Sequence, residues 1–98
     1  MAKFDVHRLA DGTLVVDCQS DLVDVFDSRF VVPLVRPGSI NVPIRRLMPA
    51  FDVAGEQRVM ATPFASAMAK WALGPAIGSL AAHDLEISMA LDVLISGI

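Results

Sequence analysis

The sequence is short of the residues from which active sites are usually built. Of its 98 residues only Cys18 is a cysteine, and only His7 and His83 are histidines. A lone cysteine forms neither an internal disulfide nor a cysteine-based zinc site, so nothing marks an oxidising compartment. Neither histidine has a second ligand at metal-binding spacing, and both read as surface side chains. No glycine-rich turn is placed to cradle a phosphate, and no serine sits in a nucleophile motif. Long apolar runs are missing as well. The longest weakly polar stretch, Trp71 to Ala82, is interrupted by Gly74, Pro75 and Gly78 and is too short to span a bilayer. The opening MAKFDVHRL lacks the apolar core of a secretory signal, so the expectation is a cytosolic protein away from membranes. Finally, there is no cationic excess. Eight bases against eleven acids give a net charge of -3 and a pI near 5.1, the reverse of what non-specific nucleic-acid binding requires. The expectation is a chain with no metal, no cofactor and no direct nucleic-acid contact.

Apolar residues are abundant instead. At 54% hydrophobic and 19% charged, the composition is that of one small domain inclined to associate with itself. Residues 1–70 hold all eight bases and eight of the eleven acids, so the entire acidic excess lies in Asp84, Glu86 and Asp92. The C-terminal region would suit a basic partner surface.

That region also carries the strongest helical pattern. From Asp84 onward, DLEISMALDVLISGI places Asp84, Ser88 and Asp92 on one narrow stripe, and apolar residues cover most of the remaining circumference. A single sheet covers one side of such a helix, and a second copy of the chain is the simplest cover for another. The helix is expected to begin near Ser79, a suitable N-cap, and to end in an exposed tip at Ser96, Gly97 and Ile98.

Ahead of it the periodicity is that of strands. Phe4 to Leu9 and Thr13 to Cys18 flank an Asp11-Gly12 turn and read as a hairpin. Gln19 to Ser28 is a loop with Leu22-Val23 inside it. Its carboxylates Asp21, Asp24 and Asp27, with Asp17 before them, do not follow a calcium-loop pattern and read as solvated turn formers. Cys18, closing a strand with no charged base nearby, reads as a small buried hydrophobe. Arg29 to Leu34 is a further strand that Pro33 assigns to a sheet edge or a strand end. Val35 to Arg46 is irregular and contains the only basic cluster, Arg36, Arg45 and Arg46, which reads as a solvated face or a contact for RNA or an acidic peptide. Leu47 to Val53 and Gln57 to Thr62 flank Ala54-Gly55 as a second hairpin. Thr62 to Leu73 stays open between helix and strand, and Trp71 with the five methionines reads as core and dimer filler. The fold class is therefore mainly β: a single antiparallel sheet or open barrel with a C-terminal α-helix packed on it.

Leu14 to Leu34, LVVDCQSDLVDVFDSRFVVPL, closely resembles the CcdB family of plasmid and chromosomal toxins, which carry a VDxQSDxxD segment followed by an apolar strand ending in Pro-Leu. The Leu47-Met48-Pro49 strand entry, the hairpin at Gly55, the Met60 to Ala65 segment and the closing Gly97-Ile98 appear in the family's order. The resemblance implies an SH3-like, partly open barrel of the CcdB/MazF-like kind that acts as a homodimer and not as an enzyme. It further implies binding to the DNA gyrase A subunit, inhibition of that topoisomerase, and neutralisation by a CcdA-like antitoxin. Carried over by position, the gyrase-binding residues would be Leu22, Val23, Asp92, Ile95, Ser96, Gly97 and Ile98. There is a departure: gyrase poisons of the family end in Trp-Gly-Ile, and Ser96 stands here in place of the tryptophan. Asp92 likewise replaces a neutral amide. A relative that has lost gyrase or gained another target is the alternative, and a MazF-like endoribonuclease a further one.

Overall fold

A computed structural model describes residues 2–40 and 44–97. Seven strands, β1 (Asp5–Arg8), β2 (Leu14–Asp17), β3 (Ser28–Val35), β4 (Ala50–Val53), β5 (Glu56–Met60), β6 (Ser66–Ala69) and β7 (Ala76–Ser79), form one antiparallel sheet in the order β4-β5-β3-β2-β1-β7, with β6 also on β3. A short 3-10 turn, Ala81–His83, leads into the helix α1 (Asp84–Ser96). The sheet curls around a core of Val6, Leu14, Val16, Val32, Leu34 and Met60, and α1 closes it with Ile87 and Ala90. The expected class, mainly β with a C-terminal helix, is the observed one.

β3 is the spine. On one side it pairs with β2 from Leu14↔Leu34 to Asp17↔Val31; on the other its first half pairs with β6 and its end with β5. Pro33 therefore lies inside the sheet, not at an edge. The backbone explains why this is tolerated. The Pro33 carbonyl accepts from Ala61 N at 2.8 Å, so its missing N–H points to the same side, into the gap between β6, which stops at Val31, and β5, which starts at Leu34. No ladder bond is lost.

Both expected hairpins are present, each turned by positive φ: 89° at Gly12, and 53° and 85° at Ala54 and Gly55. The stretch from 62 to 73 resolves as 3-10 turns at Thr62–Phe64 and Lys70–Ala72 on either side of β6, because β3 still offers an unpaired half-edge to Ser66–Ala69. The helix begins later than Ser79. Residues Ala76–Ser79 are taken by pairing with β1, and Leu80 N donates to Phe4 O at 2.8 Å, leaving Ser79 Oγ to accept from Ala81 N at 3.1 Å.

Two other expectations fail on burial. His7 is not a surface side chain but 3% exposed, and its Nδ1–H donates to the Gly74 carbonyl at 2.8 Å. Of the reading of Trp71 as core and dimer filler, the core part fails, since the residue is 88% exposed in the single chain, whereas Met48 and Met60 are buried as expected. Cys18 is buried as expected, and burial pushes its thiol up to about 12. Among the described residues no helix is long and apolar enough to cross a membrane, and no cluster of three or more metal-ligating side chains forms.

Gly74 shows how tightly β1 and the approach to β7 meet. A Cβ there would lie 2.1 Å from the Arg8 carbonyl oxygen, a backbone atom that cannot move aside. Gly74→Ala is expected to destabilise the fold by about 3 kcal/mol, as overpacking against a fixed backbone does. The midpoint of urea unfolding checks it; an unchanged midpoint would mean that the two segments separate freely.

Candidate functional site

The two places singled out in the sequence, the loop after β2 and the end of α1, are both exposed but are held by different means. The loop hangs on Arg29, the second residue of β3. Its side chain is fully buried, with Nε donating to Asp17 Oδ2 at 2.7 Å, Nη1 to Asp24 Oδ1 at 2.7 Å and Nη2 to the Gln19 carbonyl at 3.2 Å. Asp21 Oδ1 stands 3.6 Å from Nη2. Asp17 is itself fully buried, which corrects its reading as a solvated carboxylate; Asp21 and Asp24 remain largely in water. Burial alone would disfavour the guanidinium charge, but the hydrogen bond and charge of Asp17, then Asp24 and Asp21, hold the Arg29 pKa above its ordinary value.

The remaining anchors complete a cage. Gln19 Nε2 donates to the Val23 carbonyl at 3.1 Å while its Oε1 accepts from Phe30 N at 2.9 Å. Ser20 Oγ accepts from Leu22 N at 3.2 Å and caps the 3-10 turn Asp21–Val23. Lys70, after β6, reaches Asp24 Oδ1 at 3.2 Å, and its backbone N–H donates to the Asp27 carbonyl at 2.8 Å. The lysine hydrogen bond first, and then its charge, lowers the Asp24 pKa.

What this cage presents is apolar. Leu22 is 93% exposed and Val23 40%. Val25 and Phe26, which the sequence reading passed over, are exposed as well. Their signal was available: four large apolar residues in one aspartate-spaced loop have no strand or helix period that would bury them.

The helix end is simpler. Ile87 and Ala90 face the core, so Leu85, Met89, Asp92 and Ser96, at helical spacing half a turn away, line the opposite side. Leu85 and Met89 are exposed there, and Ile95 is exposed beside Asp92 and Ser96. Gly97, at φ 75°, ends the helix in a left-handed cap with its N–H on the Val93 carbonyl at 3.0 Å. Ile98 lies outside the described residues. No hydrogen bond or ion pair among the described residues joins the loop to the helix, so within one chain the two surfaces are anchored separately.

Two outcomes follow from the Arg29 cage. Asp17→Asn leaves a buried guanidinium without its fully buried partner charge and should cost about 3 to 5 kcal/mol in urea unfolding; a loss below 1 kcal/mol would show that the pair is peripheral to the fold. The second concerns pH. A lowered Asp24 pKa contributes stability that is fully present above the ordinary value of 3.8 and is lost as pH falls through the folded-state value. The stability gap between the wild type and Asp24→Asn should therefore be constant at neutral pH and close below about pH 4; a gap that persists in acid would contradict the assignment.

Comparison with known proteins bears on both the fold and the family. A solved structure described as an endoribonuclease from a mycobacterial species superposes with a TM-score of 0.74, covering 97% of this chain and 90% of the other at 15% sequence identity. That likeness is one of fold. No curated protein sequence matches the chain. The family model described as CcdB protein matches residues 3–97, which takes in the loop, the Arg29 cage and the helix end together, and the chain belongs to the CcdB family.

Proposed function

We propose that this protein is the toxin of a toxin–antitoxin pair, a non-enzymatic homodimer that binds the DNA gyrase A subunit, inhibits the topoisomerase and is neutralised by a CcdA-like antitoxin. The observation that carries the proposal is the family match across residues 3–97, over a chain whose exposed apolar side chains gather at the loop and along the helix. Leu22 and Val23 in the loop, with Asp92, Ile95, Ser96, Gly97 and Ile98 at the helix end, form the gyrase-binding set. A second copy of the chain covers Leu85 and Met89, exposed opposite the core face of α1, and brings two helix ends into one assembly. A catalytic reading has less support: His7 is buried behind Gly74, and His83 is engaged by the Phe51 ring at 4.7 Å and Glu86 at 3.3 Å.

One residue favours a second reading, in which the scaffold and antitoxin binding persist but gyrase poisoning is lost or redirected. Ser96 is exposed where poisons of the family carry tryptophan. A buried aromatic anchor is worth about 2 kcal/mol or more at an interface, so its absence lowers affinity about thirtyfold. Purified protein and Ser96→Trp, assayed side by side for inhibition of gyrase supercoiling and accumulation of cleaved DNA, separate the two. Gyrase as the target predicts inhibition by the wild type, increased about thirtyfold in potency by Ser96→Trp. An inactive wild type with an active Ser96→Trp would establish a disarmed relative, and inactivity of both would remove gyrase from the account.

A further inference from the structure

Affinity at a protein interface is concentrated in a few large side chains, aromatic ones above all, and Ser96 leaves the helix end without one. The chain has six aromatic residues, five phenylalanines and one tryptophan. Phe4 and Phe51 are buried, and Phe30 packs against the core. The other three are exposed. Trp71 lines a groove with Arg8, Leu9 and Pro75. Phe64 stands ahead of β6, at the end of that strand remote from the loop, because Ser66 pairs with Val31 and Ala69 with Ser28. Only Phe26 belongs to the loop that carries Leu22 and Val23.

A projecting side chain is an effective anchor when its backbone is ordered before the partner arrives, since ordering it on binding costs affinity. Val25 and Phe26 meet that condition although neither joins the core. The residue before them, Asp24, is held by its carboxylate to Arg29 Nη1 at 2.7 Å and to Lys70 Nζ at 3.2 Å, and its carbonyl also accepts from Lys70 Nζ. The residue after them, Asp27, accepts through its carbonyl from Lys70 N at 2.8 Å, and Ser28 then enters the ladder between β3 and β6. Lys70 therefore clamps both ends of a two-residue tip, one with its side chain and the other with its backbone. The tip itself is open, with Val25 84% and Phe26 60% exposed. Its surroundings do not favour a polyanion: Asp5, Asp17, Asp21, Asp24 and Asp27 outnumber Lys3, Arg29 and Lys70. The tip is continuous along the chain with Leu22 and Val23, and the occupant that fits it is the one proposed for them.

We propose, resting on the gyrase reading, that Phe26, supported by Val25, is the aromatic anchor of the gyrase-binding surface, so that the loop after β2 contributes more of the affinity than the helix end where Ser96 stands. Phe26 does not take the place of the family's tryptophan. It supplies an aromatic to another part of the same surface, on a backbone that the sheet already holds.

Binding of the full chain to purified gyrase A subunit, measured by calorimetry, and inhibition of supercoiling read the effect. Phe26→Ala should weaken binding about thirtyfold, whereas Val25→Ala and Ser96→Ala should each change it by about threefold or less. Adding Ser96→Trp to Phe26→Ala should regain about thirtyfold, which shows that the rest of the surface still docks. The midpoint of urea unfolding should be unchanged in Phe26→Ala, because the side chain has no share in the core. Phe26→Ala binding as tightly as the wild type would overturn the proposal and leave the gyrase reading standing. Binding by Ser96→Trp with none by the wild type would also overturn it, since the loop would then be unable to act without the tryptophan. If Phe26→Ala is monomeric on gel filtration at concentrations where the wild type is dimeric, Phe26 belongs to a contact between copies and the proposal is wrong. Binding by neither the wild type nor Ser96→Trp would remove gyrase itself, and the anchor with it.

Discussion

The buried pair of Arg29 and Asp17 is the constraint on which the exposed part of this structure depends. Taking two charges out of water costs several kcal/mol each, and their attraction offsets that only with good geometry and full hydrogen bonding. Here the 2.7 Å contact has both, because the other guanidinium nitrogens find Asp24 and the Gln19 carbonyl. The arrangement also transmits order. Arg29 belongs to the central strand, whose position is fixed on both sides by its neighbours, and its side chain reaches out from there into a loop with no partner strand of its own. A loop of ten residues rich in aspartate would otherwise carry a large conformational entropy. In this fold its geometry is inherited from the sheet.

The same economy governs the rest of the chain. β3 lends one side to β2 and divides the other between β5 and β6, and the proline that looks disruptive falls in the interval between them. At the far edge, Gly74 gives up a side chain so that the approach to β7 can lie on β1, and the helix follows from there to close the core. The two exposed apolar surfaces are thereby attached to different parts of the fold: the loop to β3, and the helix end to the core beneath α1.

Much of the fold was legible in the sequence, since alternation and turn residues speak for local structure. Both hairpins and the C-terminal helix were read from such signals, and the VDxQSDxxD segment identified the family. What was not legible depends on pairing between distant segments. Pro33 was assigned to an edge because a lone strand does not reveal which of its neighbours stop short. Ser79 was taken for a helix cap because nothing local shows that β1 claims it. Asp17 was read with its neighbours as solvated, although a charge set within LVVDC, an otherwise apolar strand, ought to have raised the question of a buried partner. His7 and Trp71 exchanged places for a similar reason: the polar ring finds the Gly74 carbonyl inside, while the indole is left outside on a 3-10 turn. The exposed position of Leu22 and Val23 agrees with their place in the loop, and Val25 and Phe26 extend the same surface.

The loop carries an evolutionary consequence. Its anchors, Arg29, Asp17, Gln19, Ser20 and Lys70, are polar and hold the backbone, whereas Leu22, Val25 and Phe26 project into solvent with little share in the core. Substitutions at the projecting positions are close to neutral for stability, because surface changes away from such networks rarely exceed about 0.5 kcal/mol. The determinants of folding and of recognition are therefore carried by separate residues within one short segment. Single replacements at the projecting positions can therefore change what is recognised while the chain stays folded, whereas replacements in the cage beneath act on folding itself.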